Sequence, residues 1–355
     1  MAEKFYKRLL AGAVIILALL LAGCGVKVRV SSPLTGGETG GNLKVHFIDV
    51  GQGDSTLIEQ NGHFMLIDAG EKDQGETVVS YLEKQGVKKL DYVIGTHPHS
   101  DHIGGLSEVL KAFEVGRVIM PAKEHTIRIY ENLLDEIARQ NLKITLPKVG
   151  NTYELGASSF QIIAPVRDYG DNLNNWSVGI RLTYGETGFV FCGDAEKEAE
   201  GDIIGSGLDL KADVLKISHH GSSTSSSSRF MDMVDPDYGV ISCGKNNDYG
   251  HPHKEIRSML KKRSIKSFRT DELGTIIAVS DGKTVTFPGQ ETEDLTGKGA
   301  GLENQEYVIN TNTRKFHYPD CSSATSMKKE NRKTYTGTRE DVIKMGYEPC
   351  QICSP

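Results

Sequence analysis

Residues 96–105 read THPHSDHIGG and place three of the chain's eleven histidines and an aspartate at positions 97 to 102. Imidazoles and carboxylates are the donors that hold transition-metal ions, and they rarely crowd together without such a role. The stretch just before, LDYVIGT, is an apolar run of strand character. A fold that accommodates both must end a buried strand at a rim where donors converge. His97 and His99 are two apart, so an extended backbone turns them to one face. Asp101 and His102 follow in a turn that Gly104 and Gly105 help to shape. Two imidazoles can hold one ion, and the carboxylate with the third imidazole a second. Imidazole suits zinc, while carboxylate also admits manganese or iron. The plainer alternative, a polar turn in which histidines happen to cluster, leaves similar donors further along the chain unexplained.

Those donors lie in two segments. FVFCGDAE delivers Asp194 from the end of a strand-like run, and VLKISHHGS delivers His219 and His220 from another. One carboxylate can bridge two cations about 3.5–4 Å apart. Alone, an aspartate after a strand usually caps a turn and a histidine pair usually lies on the surface. Here every donor follows a strand, which favours one shared site.

The rest of the chain supports an α+β architecture. Strand patterns cover 43–48 and 56–59, Asn61-Gly62 is a hairpin signal, and HFMLIDAG is a third strand ending at Asp68. Helical periodicity covers 75–86, 106–114 and 127–140. FQIIAP, VGIRLTYG, GFVFCGD, ADVLKISHHG, PDYGVIS and GTIIAVSDGKTVTF supply strands in the second half. Strands in both halves with helices between them fit two sheets with helices outside. The serine run 222–228 reads as a rim, and Tyr249–His253 as either pocket lining or a surface turn. Cys192 and Cys243 read as buried thiols.

The termini have their own organisation. Lys4, Lys7 and Arg8 precede an apolar run from Leu9 to Leu21, too short for a spanning helix of about 20 residues. Leu21-Ala22-Gly23-Cys24 resembles a bacterial lipobox. That resemblance implies a signal peptide over 1–23, lipidation of Cys24, a Gly/Ser/Thr-rich tether over 24–41 and an extracytoplasmic, membrane-anchored protein. A hydrolase domain is expected over 42–289, a linker over 290–306 and a small unit over 307–355.

HxHxDH, the later Gly-Asp after a strand and the final HHGS together resemble the metallo-β-lactamase superfamily. HFIDVGQGDS, DVLKISHHGS, YGHP and RTDELGTI are similar to the branch found in DNA-uptake channel proteins of the ComEC/Rec2 type. The resemblance covers about residues 42–289. It implies an αββα sandwich with two divalent metals, zinc or manganese, at the sheet edges. It also implies that His97 and His99 bind the first ion, that Asp101, His102 and His219 bind the second, and that Asp194 bridges them. His219 is preferred over His220 because it comes first off its strand, leaving His220 to face the substrate and protonate a leaving oxygen. Asp68 would orient a ligand imidazole. The superfamily usually supplies another histidine before the bridging aspartate. Here DNLNNWSVGIRL offers Asn174, Asn175 and Ser177 instead, and His125 is the sole histidine between 102 and 194. The first position is then weak, open to water, or suited to an oxygen-preferring ion.

In the last unit His317 and Cys321 form one pair and Cys350 and Cys353 another, with a helix-like basic stretch between. Four soft donors in two pairs suit a closed tetrahedral zinc site, which stabilises a unit too small for a sufficient core. A disulfide is the rival. The pattern resembles the zinc module of Ada-type DNA-repair proteins, with His317 in place of a first cysteine, so methyl transfer is not carried over.

Metal-activated water can hydrolyse an ester or amide carbonyl or a phosphodiester, and the site does not choose between them; the resemblance favours phosphodiesters, in nucleic acid or a phosphorylated wall or lipid component. Residues 31–300 carry 28 basic against 39 acidic side chains, a net of −11, so a polyanion meets repulsion there unless metals or a local basic patch offset it. The other class is a non-catalytic surface protein that binds DNA or wall polymer on the same fold.

Overall fold

Leu43, Val45 and Phe47 alternate with Lys44 and His46 along β1 (Leu43–Phe47), and the apolar set turns into the centre of the molecule. This computed structural model describes residues 41–290, 305–319, 321–337 and 339–350. The expected leader, Cys24, the tether to residue 40, most of the second linker and Cys353 lie outside the described residues.

The first sheet continues through β2 (Thr56–Gln60), β3 (His63–Ile67), β4 (Lys89–Ile94), β5 (Glu114–Ile119) and β6 (Ile144–Thr145). The second contains β7 (Thr152–Leu155), β8 (Ser158–Ala164), β9 (Gly179–Tyr184), β10 (Thr187–Phe191), β11 (Val214–Lys216), β12 (Tyr238–Ile241) and β13 (Lys266–Arg269). The chain then returns to the first sheet with β14 (Ile276–Ser280) and β15 (Val285–Thr286). The orders are β15-β14-β1-β2-β3-β4-β5-β6 and β13-β12-β11-β10-β9-β8-β7.

Period-two alternation assigns each sheet two buried faces. Met65 and Ile67 of β3 meet Phe189 and Phe191 of β10 between the sheets, where Phe47 stacks on Phe191 at 6.1 Å. Leu66 and Val93 point the other way. They pack under α1 (Gly75–Lys84), α3 (Leu106–Ala112) and α4 (Arg128–Arg139); a short α2 (Ser100–Ile103) precedes α3. Val190 and Leu215 pack under α5 (Lys197–Gly205), α6 (Ser228–Val234) and α7 (Lys254–Lys262). The result is the expected α+β sandwich, helices–sheet–sheet–helices. Each large apolar side chain buried in these layers contributes about 1.5–3 kcal/mol.

Residues 305–350 form a separate four-stranded sheet, β18-β16-β17-β19, from β16 (Gln305–Asn310), β17 (Lys315–His317), β18 (Arg332–Gly337) and β19 (Glu348–Pro349). The basic stretch read as helix-like holds short helices at Ser322–Thr325 and Arg339–Lys344, with the strand β18 between them. In β18, Thr334, Tyr335 and Thr336 favour a strand, and the segment pairs along its length with β16. The serine run also differs from a rim. Ser222, Ser225 and Ser226 are buried, Glu200 accepts the backbone N–H groups of Ser226 and Ser227, and Ser227 caps α6 by accepting Phe230 N–H.

β3 pairs in parallel with β4, and β10, β11 and β12 run parallel in the other sheet. Asp68, His97, Asp194 and His220 all follow the C-terminal ends of such strands. Loops after parallel strands are where open α/β sheets place their ligands.

Candidate metal centre

After β4 the chain bends at His97 and Pro98, is extended at His99 and then enters α2. The turn brings His97 Nε2 to 3.0 Å from His99 Nδ1. Gly104 and Gly105 keep negative φ, so handedness does not explain them. A side chain on Gly105 would strike the Ala69 carbonyl, and one on Gly104 the backbone of Lys72.

Four donor atoms, from Asp101, His102, Asp194 and His220, lie within 4.8 Å of one another. His102 Nε2 is 3.2 Å from Asp194 Oδ2, and His220 Nε2 is 3.2 Å from Asp101 Oδ2 and 3.5 Å from Asp194 Oδ2. Asp194 Oδ2 is also 3.9 Å from His97 Nε2, which places this carboxylate between the two groups. Asp194 and His220 are each 2% exposed.

The structure thus corrects the choice between the paired histidines. His220, not His219, enters the four-atom cluster. Strand alternation cannot be extended past Lys216, because Ile217 and Ser218 intervene and both histidines adopt left-handed backbone, φ 53°. Consecutive left-handed residues other than glycine are costly and persist only where the surroundings enforce them. The turn swings His220 inward. His219 lines the cavity, with Nδ1 3.0 Å from Thr224 Oγ1 and Nε2 3.7 Å from Asp194 Oδ2.

Both inward imidazoles have a fixed tautomer. His220 Nδ1 is 3.0 Å from the Ser242 carbonyl, which can only accept, so Nδ1 carries the proton and Nε2 presents a lone pair. His102 Nδ1 faces Asp68 Oδ2 at 2.8 Å, with the same consequence. Thr96 N–H and Oγ1 donate to the two oxygens of Asp68 at 2.8 and 2.6 Å. Asp68 therefore fixes the His102 imidazole from behind.

Sequence reading missed a second orienting group. Asp54 lies 3.2 Å from His220 Nδ1 and pairs with Lys216 Nζ at 2.6 Å, and Asp54 and Lys216 are each 3% exposed as whole residues. Burial alone would raise the Asp54 carboxyl, but Lys216 and then His220 hold it well below the carboxylate range. Asp54 N–H donates to the Asp101 carbonyl at 3.0 Å, and a Cβ on Gly53 would collide with that same carbonyl. The GDS and VLKISHHGS segments thus meet at one buried ion pair. The two residues are 162 positions apart, so no local pattern reveals their pairing.

Burial also pushes His97 well below its usual range. For His102 and His220, burial opposes the charged form, but without a cation Asp194 and the other carboxylates win and hold both rings well above their usual range, so a bound cation would take the place of the proton on Nε2 while Nδ1 keeps its own. A cluster of this kind is chemically incomplete. His102 Nε2, His220 Nε2 and one Asp194 oxygen are buried without a hydrogen-bond partner among the described residues. Such atoms cost free energy unless satisfied, and a divalent cation satisfies all three at once. The donor set fits zinc or manganese.

Ser177 occupies the region where another histidine was sought. Its Oγ accepts Asp194 N–H at 3.0 Å and lies 3.2 Å from His97 Nδ1, so it fixes two donors from behind. Asn175 is turned to Glu196 and Glu198, Asn174 donates to Glu196, and His125 accepts Ile127 N–H. The His97–His99 pair thus gains no third imidazole from these positions. The cavity above the centre measures about 450 Å³ and is lined by His99, Asp101, Asn174, His219, Tyr249 and His251, among others.

The sequence profile described as the metallo-beta-lactamase superfamily matches residues 48–245, which contain every donor of this centre. The chain belongs to that superfamily. It is 33% identical over 275 residues to ComE operon protein 3 of Bacillus subtilis, covering 71% of this chain and 35% of the relative. Recombination protein 2 of Haemophilus influenzae is 31% identical over 224 residues, 62% of this chain and 26% of that protein. The chain thus spans about a third or less of the length of these relatives. Among solved structures, the metallo-beta-lactamase fold protein YhfI from Bacillus subtilis aligns with a TM-score of 0.47 at 14% identity, covering 68% of this chain and all of that one. The protein therefore has a metallo-beta-lactamase fold of the metal-dependent hydrolase type.

A second donor group lies in the last unit of this superfamily member. His317, Cys321 and Cys350 are buried with one donor atom each within 4.8 Å of the others, and Cys321 Sγ is 3.7 Å from His317 Nδ1. Among the described residues Cys192, Cys243 and Cys321 are buried thiols outside any disulfide. No helix among the described residues is long and apolar enough to cross a membrane.

The Asp54–Lys216 pair yields a stability test. Lys216→Met leaves a buried carboxylate without its cation and should cost about 3–5 kcal/mol in urea unfolding. Lys216→Met combined with Asp54→Asn should recover a large part of the loss. A single variant as stable as wild type would contradict the buried pair.

Proposed function

We propose that this protein is an exported, lipid-anchored, metal-dependent phosphodiesterase or nuclease. The observation that carries the catalytic part is the convergence of donor atoms from Asp101, His102, Asp194 and His220, with partnerless buried atoms on the last three and His97 and His99 beside them. His97 Nε2 and His99 Nδ1 would hold one ion, Asp101, His102 and His220 another, with Asp194 shared between them. When bound, such ions acidify water and polarise an ester. The protein's own side chains do the rest. Asp68 and the Ser242 carbonyl keep His102 and His220 in the tautomers that present Nε2 inward, with Asp54 beside His220 Nδ1. Ser177 keeps Asp194 and His97 in place. His219, which lines the cavity and is held at Nδ1 by Thr224, is the group placed to give a proton from Nε2 to a leaving oxygen.

The preference for phosphodiesters rests on similarity to relatives named for the competence operon and for recombination. DNA is one candidate substrate and a phosphorylated wall polymer another. Export and anchoring rest on Leu21-Ala22-Gly23-Cys24 after its basic and apolar leader. We assign a structural zinc to His317, Cys321 and Cys350, with Cys353 as fourth donor.

Two measurements test this reading. Asp101→Asn should lower bis-p-nitrophenyl phosphate turnover with added zinc or manganese by about a hundredfold or more, roughly 2.7 kcal/mol in the barrier, with an unchanged circular dichroism spectrum. Equal turnover in variant and wild type would overturn the catalytic reading and favour a binding protein on the same fold. For the last unit, elemental analysis after mild chelation should find one zinc per chain fewer in Cys350→Ser than in wild type. Identical zinc contents would remove the structural assignment.

A further inference from the structure

Tyr249 is 67% exposed, yet its position is built rather than incidental. One face of its ring stacks on His251 at 5.6 Å and 19°. His251 in turn lies nearly parallel to His220 at 6.2 Å and 28°. The three rings form a ladder from the donor cluster to the rim of the cavity.

The loop beneath is pinned from both sides. Asn247 Oδ1 accepts His251 N–H at 2.9 Å, and Asn247 Nδ2 donates to the carbonyls of Gly244 and His251 at 2.9 and 2.6 Å. His253 Nε2 is 3.1 Å from the Tyr249 carbonyl, which can only accept, and His253 Nδ1 accepts Ser223 N–H at 2.9 Å. A fixed loop that presents an aromatic face to solvent beside a reaction cavity suits stacking of a flat substrate group.

The segment that carries that ring has the opposite charge to the domain as a whole. Residues 245–266 carry seven basic and two acidic side chains, a net of +5, within a region of net −11. A second cavity of about 540 Å³ shares His251 with the first and is lined by Lys245, Asn246 and Arg257. Its Asp271 and Glu272 are paired with Arg269. Among the described residues Lys245 and Arg257 take part in no ion pair, so their charges are available to an anion. Aromatic faces alternating with cations are how proteins hold single-stranded nucleic acid without reading its sequence.

We propose that Tyr249, on its His251 support, stacks a nucleobase next to the scissile phosphodiester, while Lys245 and Arg257 hold phosphates of the same single strand. This assigns a specificity-determining residue and a strand path, and it rests on the phosphodiesterase reading above. It also supplies the local basic patch that a polyanionic substrate needs on an acidic domain.

The test compares a single-stranded oligodeoxynucleotide with an abasic strand of equal length, using the full chain with manganese. Wild type should prefer the base-bearing strand in kcat/KM. Tyr249→Ala should shrink that preference about tenfold, mainly through KM, and Tyr249→Phe should keep it. Binding of a labelled strand, followed by fluorescence anisotropy in metal-free buffer, should weaken in the same order. Replacing both Lys245 and Arg257 by Ala should reduce the salt slope of log affinity by roughly 1.4, the value for two phosphate contacts on a single strand. If wild type cleaves the strands but Tyr249→Ala keeps the full preference, the stacking assignment falls and the phosphodiesterase reading stands. An unchanged salt slope removes the phosphate contacts. If wild type turns over no phosphodiester at all, both readings fall together.

Discussion

The structure depends on a small group of polar atoms that the protein buries and does not satisfy. His102 Nε2 and His220 Nε2 face Asp194 Oδ2 at the junction of the two sheets, and the other Asp194 oxygen, Oδ1, is buried without a partner among the described residues. Folding normally avoids such an arrangement, because each buried polar atom without a partner costs free energy. Here each imidazole is held with Nε2 inward by a hydrogen bond that its opposite nitrogen donates, to Asp68 in one case and to the Ser242 carbonyl in the other. The centre is prepared for a cation by the residues behind it as much as by the donors themselves.

The two halves of the chain meet at this point for a physical reason. β3 and β4 deliver Asp68 and the histidine cluster, and β10 and β11 deliver Asp194 and His220. Packing of Met65, Ile67, Phe189 and Phe191 between the sheets brings those strand ends together. The ion pair between Asp54 and Lys216 ties the first loop to the strand that precedes His220, and Asp54 N–H is bound to the Asp101 carbonyl. A buried ion pair is weak evidence for net stability. Its effect here is geometric, since it fixes His220 against Asp101.

Much of this was legible in the sequence because it is carried by local pattern. Alternation in Leu43–Phe47 and the helical spacing of Val78 and Leu82 identified elements and their buried faces. The HxHxDH spacing and the strand before Asp194 identified donors. What sequence could not show was contact across large separations or geometry beyond the end of a strand. Asp54 and Lys216 each look ordinary until the fold pairs them. His219 and His220 are chemically identical, and the left-handed turn that selects His220 has no local signature. The serines at 222–228 look like a rim by composition, but Glu200 gathers their backbone N–H groups into the interior. β18 looks helical by its charge and is a strand because β16 offers it an edge.

The central claim is that the partnerless donors hold divalent cations, and anomalous X-ray diffraction tests it most directly. Crystals of the chain soaked in zinc or manganese, measured on either side of the metal's absorption edge, should show a peak enclosed by Asp101, His102, Asp194 and His220. A second peak beside His97 and His99 would establish the two-ion arrangement. No anomalous density within reach of His102, Asp194 and His220 at millimolar metal would contradict the account, because those atoms would then be buried without the partner their geometry requires.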